Sequence, residues 1–341
     1  KPMLFSIILV LLIYYFYTPA LNIHAIEFWI FLIVAICIYG AASSYSTLLG
    51  KKFKPEKVGY LGTAVAVIVA GILVTDLFTS KIFHASRYAS RIEVENVKFN
   101  NKTLHEVDFS KTPIIDRKST VKLGDKVMGE IPEYVSQFEV SDDYTQISYK
   151  NSVYRVTPLE YASFFKYLTN SKNGIPAYIT VNSTNGKAEI VKLKDLGLNG
   201  MKYVPSAILN HNLNRKLQLS YPTSIFGSPS FEVDEKGHPW YVCTTYTYFG
   251  VGNKKKVTGA VLFDPITGKS KKYDKDKVPK WVDRVYPEEL IMTEIDENGS
   301  LQDGFFNSVL GQKNVTVTSK GYNYLEKDGD IWIYSGITSA N

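Results

Sequence analysis

Hydrophobic residues are spread unevenly along this chain. Three nearly unbroken apolar runs fall at residues 3–17 (extending to about Leu21), 28–49 and 58–78, while almost all charge lies beyond Lys81. Each run approaches the ~20 residues that an α-helix needs to cross a bilayer. The third is interrupted only near its end, by Asp76. A cleaved signal peptide accounts for one such run but not for three in succession. Tyr14, Tyr15, Tyr17, Trp29 and Tyr60 stand near the ends of the runs, where amphipathic rings favour the membrane interface. The pattern predicts three transmembrane helices within residues 1–80. Gly62, Ala66 and Ala70 recur at four-residue spacing in the third. Such a seam of small residues lets another helix approach closely. Packing against the first two helices is the expected use, with an oligomeric contact as the alternative.

The short loops set the orientation. Residues 50–57 carry Lys51, Lys52, Lys54 and Lys57, whereas residues 20–27 carry no Lys or Arg. The positive-inside rule places the lysine loop in the cytoplasm. The third helix then exits outward, so the rest of the chain is expected to be extracytoplasmic at a plasma membrane. Lys81, Arg87 and Arg91 pull the other way. No acidic or basic side chain lies in mid-span, which argues against a transporter subunit.

Beyond the helices, turn signals take over. Residues 81–133 read as an irregular connector with short strands, punctuated by Pro113 and Pro132. After them the chain repeats itself weakly. Residues 177–187 and 259–269 both read as a strand and an Asn/Asp turn closing on Gly-Lys, with Asn182 matching Asp264. An acidic glycine turn leading into an aromatic strand recurs at 232–242 and 326–334, around Trp240 and Trp332. Val204-Pro205 and Tyr221-Pro222 bracket an expected helix, as do Val278-Pro279 and Tyr286-Pro287. The clearest helix outside the membrane is expected at 157–168. Thr157 and Glu160 would form its capping box, with Pro158 at its first position and Leu159, Phe164, Phe165 and Leu168 covering a sheet.

Strands rich in Tyr, Trp and Val, followed by an Asp-x-x-Thr-Gly-Lys hairpin, resemble the PepSY-type modules of exported and membrane-anchored bacterial proteins. The resemblance spans about residues 135–335 in degenerate copies. It implies non-catalytic modules that bind or restrain other envelope proteins. The expected fold class is a membrane α-helical module of three helices plus an α+β, mainly antiparallel β, repeat domain. Its divisions are 1–80 for the membrane module, 81–133 for the connector, 134–222 for a first module, 223–290 for a second, and 291–341 for an insertion and an incomplete third. The last aromatic strand, near 331–337, is expected to find its partner in further chain or in another molecule.

Charge and candidate chemistry refine this picture modestly. The formal net charge is +6, with lysines interleaved with acids as in residues 271–277. A solvated surface is the expected reading; attraction to an anionic envelope polymer or lipid surface is the alternative. No nucleic-acid motif accompanies the lysines, so nucleic acid is not an expected partner. The two cysteines, Cys37 in an apolar run and Cys243 in a predicted strand, provide no disulfide framework. His24, His84, His105, His211 and His238 show no metal-ligand spacing. Ser163 and Lys166 match Ser-x-x-Lys without the companion elements of penicillin-binding enzymes. Asp234/Glu235/Gly237 and Asp296/Glu297/Gly299 lack the full ligand series of a calcium loop.

No cofactor or metal is therefore expected. The expected function is a membrane-anchored binding, scaffold or regulatory protein, acting with envelope protein partners or as a homo-oligomer. The alternative is a cell-envelope enzyme acting on wall polymer or protein through Ser163 or an acidic cluster. It needs those groups to share one cleft, which the repeat reading does not expect. Asp142-Asp143 and Glu288-Glu289, each adjacent in sequence, would send their side chains to different faces rather than form a poised acid–base pair.

Overall fold

The computed structural model describes residues 2–48, 55–98, 100, 112–319, 321–327 and 330–339; Lys51, Lys52, Lys54 and His105 lie outside them. Its first elements are α1 (Pro2–Tyr17), α2 (Ile26–Leu48) and α3 (Pro55–Phe78). α1 stops at Tyr17 because Pro19 disfavours a helical Thr18, which turns instead to φ +42°. At 16 residues it is about 24 Å long, short of the ~30 Å hydrocarbon core. Two helices among the described residues, over Ile26–Tyr45 and Gly59–Phe78, are long and apolar enough to cross a membrane, where the hydropathy pattern predicts three. Neither is a core helix, since Val67, Leu73, Val74, Leu77 and Phe78 are all half-exposed or more.

α1 meets α2 through Tyr14 and Phe31, and α2 meets α3 where Gly40 receives Leu61. The small-residue seam lies elsewhere. Gly62, Ala66 and Ala70 are all exposed, and nothing lies within 4 Å of where a Gly62 Cβ would be. Leu61, one residue earlier and so about 100° around the helix, makes the contact instead. The expectation that the seam packs on the first two helices is corrected.

Residues 81–133 are helical where a connector with strands is expected. α4 (Lys81–Ala89), α5 (Arg117–Gly129) and α6 (Pro132–Val135) occupy most of their described part. Asp116 caps α5, its carboxylate accepting from Ser119 N–H at 2.6 Å. Thr120, Gly124 and Met128, four residues apart, are the buried stripe that α5 lays on the sheet.

The sheet domain consists of two units with one topology. The first holds β1 (Phe138–Val140), β2 (Thr145–Tyr149), β3 (Ser152–Tyr161), α7 (Phe164–Asn170), β4 (Ala177–Asn182) and β5 (Ala188–Lys192). The second holds α8 (Leu213–Ser220), β6 (Ile225–Phe226), β7 (Ser230–Val233), β8 (Pro239–Tyr248), β9 (Lys255–Phe263) and β10 (Ser270–Asp274). In each, a helix precedes five antiparallel strands, and the third strand is the long one. Its first half pairs with the second strand and its second half with the first. Its other edge takes the fourth strand, which pairs in turn with the fifth.

The closing turns match atom for atom. Asn182 N–H donates to Lys187 O (2.8 Å) and Gly186 N–H to Asn182 O (2.9 Å); Asp264, Lys269 and Gly268 repeat both bonds at 2.8 and 2.9 Å. Gly186 and Gly268 sit at φ +74° and +71°, a region open to glycine without cost.

β3 overturns the helix expected at 157–168. Pro158 falls where the edge partner of β3 changes from β2 to β1, so its missing N–H interrupts no ladder. Thr157 Oγ1 fills the gap by donating to Ser141 O at 2.9 Å. Helix begins only after Ser163, and Phe164, Phe165 and Leu168 are exposed rather than laid on a sheet. Residues 278–287 are likewise not helical; α9 (Glu288–Leu301) starts after Pro287.

Beyond a short π-helix at Asn307–Gly311 come β11 (Thr316–Thr318), β12 (Asn323–Lys327), β13 (Asp330–Tyr334) and β14 (Ile337–Ser339). β13 pairs with β12, and β14 with β11, so the last aromatic strand finds its partner inside the chain. That corrects the expectation of an unpaired final strand.

Both units bury their apolar faces in one core, in which Ile147, Val156 and Ile179 join Phe231, Tyr241 and Phe263. Tyr178 pins the joint: its ring packs on Phe231 and its hydroxyl donates to Gly237 O at 2.9 Å. Gly237 lies at φ +79°, and a Cβ there would meet the Tyr178 hydroxyl at 3.1 Å. Gly237→Ala is expected to destabilise the full chain in detergent by about 1–2 kcal/mol through the left-handed backbone alone. Chemical denaturation followed by Trp fluorescence checks this, and an unchanged midpoint would contradict it.

Candidate functional site

The connection between β8 and β9, residues 249–254, is clamped onto the apolar helices. His24 Nδ1 lies 2.8 Å from Gly250 O, and His24 O accepts from Gly252 N–H at 3.1 Å. Asp76, the carboxylate near the end of α3, accepts from Val251 N–H at 3.3 Å. Its carbonyl takes Asn253 Nδ2 at 2.9 Å, and the same amide donates to Thr79 Oγ1 at 2.9 Å. The Arg87 guanidinium covers the Phe249 ring at 3.7 Å.

On the other flank Arg215 Nε donates to Tyr15 O at 2.7 Å, and Leu21 N–H to Pro222 O at 2.7 Å. Ala20 and Ala25 are buried against Ile225, Tyr246 and Val257. The α1–α2 loop and the end of α3 therefore meet the same β8–β9 hairpin of the sheet domain.

The three basic residues after α3 are drawn into this joint as well. Lys81 and Arg91 both pair with Glu297 on α9, at 2.6 and 2.7 Å. Arg91 also donates to Lys255 O at 3.0 Å.

Between the two units lies a polar cleft of about 330 Å³. Asp143 and Thr145 face it from the β1–β2 region, and Ser228 and Ser230 from the equivalent β6–β7 region. Arg284 and Glu289 line it on the approach to α9, with Arg117 and Lys255 among the remaining walls.

A buried carboxylate fixes Arg284. Glu232, fully buried on β7, accepts from Asp283 N–H at 2.9 Å and Arg284 N–H at 3.1 Å. Asp283 Oδ2 in turn accepts from Ser148 N–H of the first unit at 2.7 Å. Burial pushes the Glu232 carboxyl up to about 7, against the lowering pull of those N–H donors.

Most residues nominated from sequence are placed in structural roles. Ser163 caps α7, its Oγ accepting from Lys166 N–H at 3.3 Å. Asp234 Oδ1 accepts from Lys236 and His238 N–H, closing its own turn. Asp296 accepts from Thr318 N–H, and Glu297 is held by its two cations. His211 lies 3.2 Å from the Tyr167 hydroxyl, and His238 lies 3.4 Å from Asp264.

Burial raises the Asp264 carboxyl, but hydrogen bonds from His238, Thr267 and the turn N–H groups outweigh it and hold it at about 2. Among the described residues no three His, Cys, Asp or Glu are grouped to hold a metal, and both cysteines are free. Asp143 and Glu289, one from each acidic pair, both line the cleft. Asp143 reaches it from the β1–β2 turn and Glu289 from the first turn of α9, a meeting that neither local sequence reveals.

Comparison with family models, with curated proteins and with solved structures finds no match to this chain.

The Glu232 carboxyl titrates near 4.5 in the unfolded chain and near 7 in the fold. Between those values the unfolded state has released a proton that the folded state keeps, so stability falls as pH rises from about 4.5 to 7. The loss attributable to this group is about 3 kcal/mol. Asp264 acts with the opposite sign in a lower window: its contribution is present above about pH 4 and is lost as pH falls towards 2. Glu232→Gln is expected to flatten the unfolding free energy of the full chain between pH 4.5 and 7, relative to the native sequence. Identical slopes in the two proteins would contradict the assignment.

Proposed function

We propose that this chain is a membrane-anchored, extracytoplasmic binding or scaffold protein of a cell envelope. Its paired units act as PepSY-like modules that engage other envelope proteins. The observation that carries this reading is the clamp at 249–254. Hydrogen bonds from the second unit to both the α1–α2 loop and the end of α3 tie the domain to helix ends. A catalyst of diffusible substrates has no need of such a joint, whereas a module that must present a surface at fixed height over a membrane does. The lysines at 51, 52, 54 and 57 in the sequence suit a cytoplasmic loop by the positive-inside rule, and with it an outward domain. Lys81 and Arg91 are spent on Glu297, so they compete weakly as a topology signal. The polar cleft, with serine and threonine hydroxyls, arginines and carboxylates on its walls, suits an extended peptide segment, whose backbone offers donors and acceptors in alternation.

Asp143 and Glu289 favour a second reading. Two carboxylates facing one cleft are the minimal set for acid–base hydrolysis of a glycosidic bond. Both are exposed, which leaves neither carboxyl desolvated as a general acid usually is.

A photo-crosslinker at the exposed Ser228, used in intact cells, separates the readings. The binding reading predicts one reproducible envelope-protein adduct that weakens when Arg284 is replaced by Ala. A chain that forms no adduct from 228, yet cleaves wall polymer and loses that activity in Asp143→Asn and Glu289→Gln, would overturn it in favour of the enzyme.

A further inference from the structure

Just past the end of α3 a second cleft, of about 550 Å³, opens between α4, α9 and the β8–β9 hairpin. Ser80, Lys81 and Ile82 form the wall next to the helix end, and Arg91, Lys254 and Lys255 line the interior. Among the described lining residues four cations face one carboxylate, Glu297, and that carboxylate is already shared by Lys81 and Arg91. Glu294 is the next acid, 3.7 Å from Arg91, and Asp76 is occupied by the hairpin backbone. Lys255 rests over the Tyr246 ring at 4.0 Å.

Among the described residues Lys254 makes no ion pair within 4 Å, although Glu294 and Glu297 stand near enough to act on it electrostatically. It is half-buried, and its pKa is lowered by that burial and by crowding from Arg87, Arg91 and Lys256. Gathering like charges in a partly desolvated place is unfavourable unless an anion joins them.

The chain segments that flank the lining residues expose apolar side chains. Phe78 and Phe83 stack at 5.5 Å and are both more than half-exposed. Phe305 lines the cleft, and the residues that follow it, Phe306, Val309 and Leu310, are exposed, Leu310 to 79%. A free phosphate ion has no use for such apolar flanks. A lipid, which carries its phosphate on hydrocarbon chains, matches both parts.

We infer that this cleft binds the headgroup phosphate of an anionic phospholipid drawn from the membrane that α2 and α3 cross, with Lys254 as its cationic contact. The inference rests on the membrane-anchored reading above. It adds a defined lipid site to that reading, adjoining the cleft between the two units, since Lys255 lines both cavities.

The full chain is reconstituted in nanodiscs of phosphatidylcholine containing a minor fraction of phosphatidylglycerol, and the lipids it retains on gentle release are counted by native mass spectrometry. Phosphatidylglycerol is expected to be enriched over its bulk fraction. Lys254→Ala is expected to cut that enrichment about fivefold, the weight of one lysine near an anionic surface. The remote variant Lys194→Ala should leave it unchanged. Equal retention of the two lipids by protein that has entered the discs would overturn the lipid site and leave the membrane reading standing. A chain that stays soluble without detergent and never enters the discs would overturn both. Inorganic phosphate that stabilises the lipid-free protein in a Lys254-dependent way, with no preference among lipids, would make this a free-anion site and overturn the lipid assignment.

Discussion

One joint fixes the relation between the two halves of this chain: the clamp of residues 249–254 on His24, Asp76 and Thr79. A tight loop carrying two positive-φ glycines would otherwise expose unsatisfied backbone groups beside the apolar helix ends. Here its amides and carbonyls are taken up by the helix ends, and the acid that interrupts the third apolar run becomes their acceptor. A carboxylate among apolar surroundings is costly unless it is paired with donors, and the hairpin supplies them. Clamp and acid thus satisfy each other. Because the hairpin joins β8 to β9, its anchorage extends directly into the second unit.

From there rigidity passes to the first unit through a shared core and two polar ties. Tyr178 reaches Gly237, and Glu232 holds the backbone of Asp283 and Arg284 while Asp283 reaches Ser148. The second tie uses a buried carboxyl that prefers its proton. This group therefore favours the fold most under mildly acidic conditions, and the fold loses stability as that proton leaves. The polar cleft sits on this joint, so its walls are set by the same contacts that hold the units together.

Local signals in the sequence are read correctly where the physics is local. The Asn182 and Asp264 turns are legible because a side-chain acceptor and a glycine four residues later suffice to close them. The end of α1 is written in Thr18-Pro19, although its hydropathy alone runs on to Leu21. The failure at 157–168 is instructive. Thr157, Pro158 and Glu160 satisfy a capping pattern, yet Val156, Leu159 and Tyr161 gain more by lying in a sheet between β1, β2 and β4. α5 is announced by Asp116 three residues before Ser119, a cap easily lost in a charged stretch. The clamp and the Glu232 tie are invisible in sequence, since they join residues far apart and use ordinary-looking acids and backbone amides.

Hydrogen–deuterium exchange across residues 249–254 of the full chain in nanodiscs tests the central claim most directly. The account predicts protected amides at Val251 and Gly252 in the native protein, and rapid exchange there once Asp76 is replaced by Ala, with β3 and β4 unaffected. A hairpin that exchanges as fast as an open loop in both proteins would show that the sheet domain is not clamped to the helices.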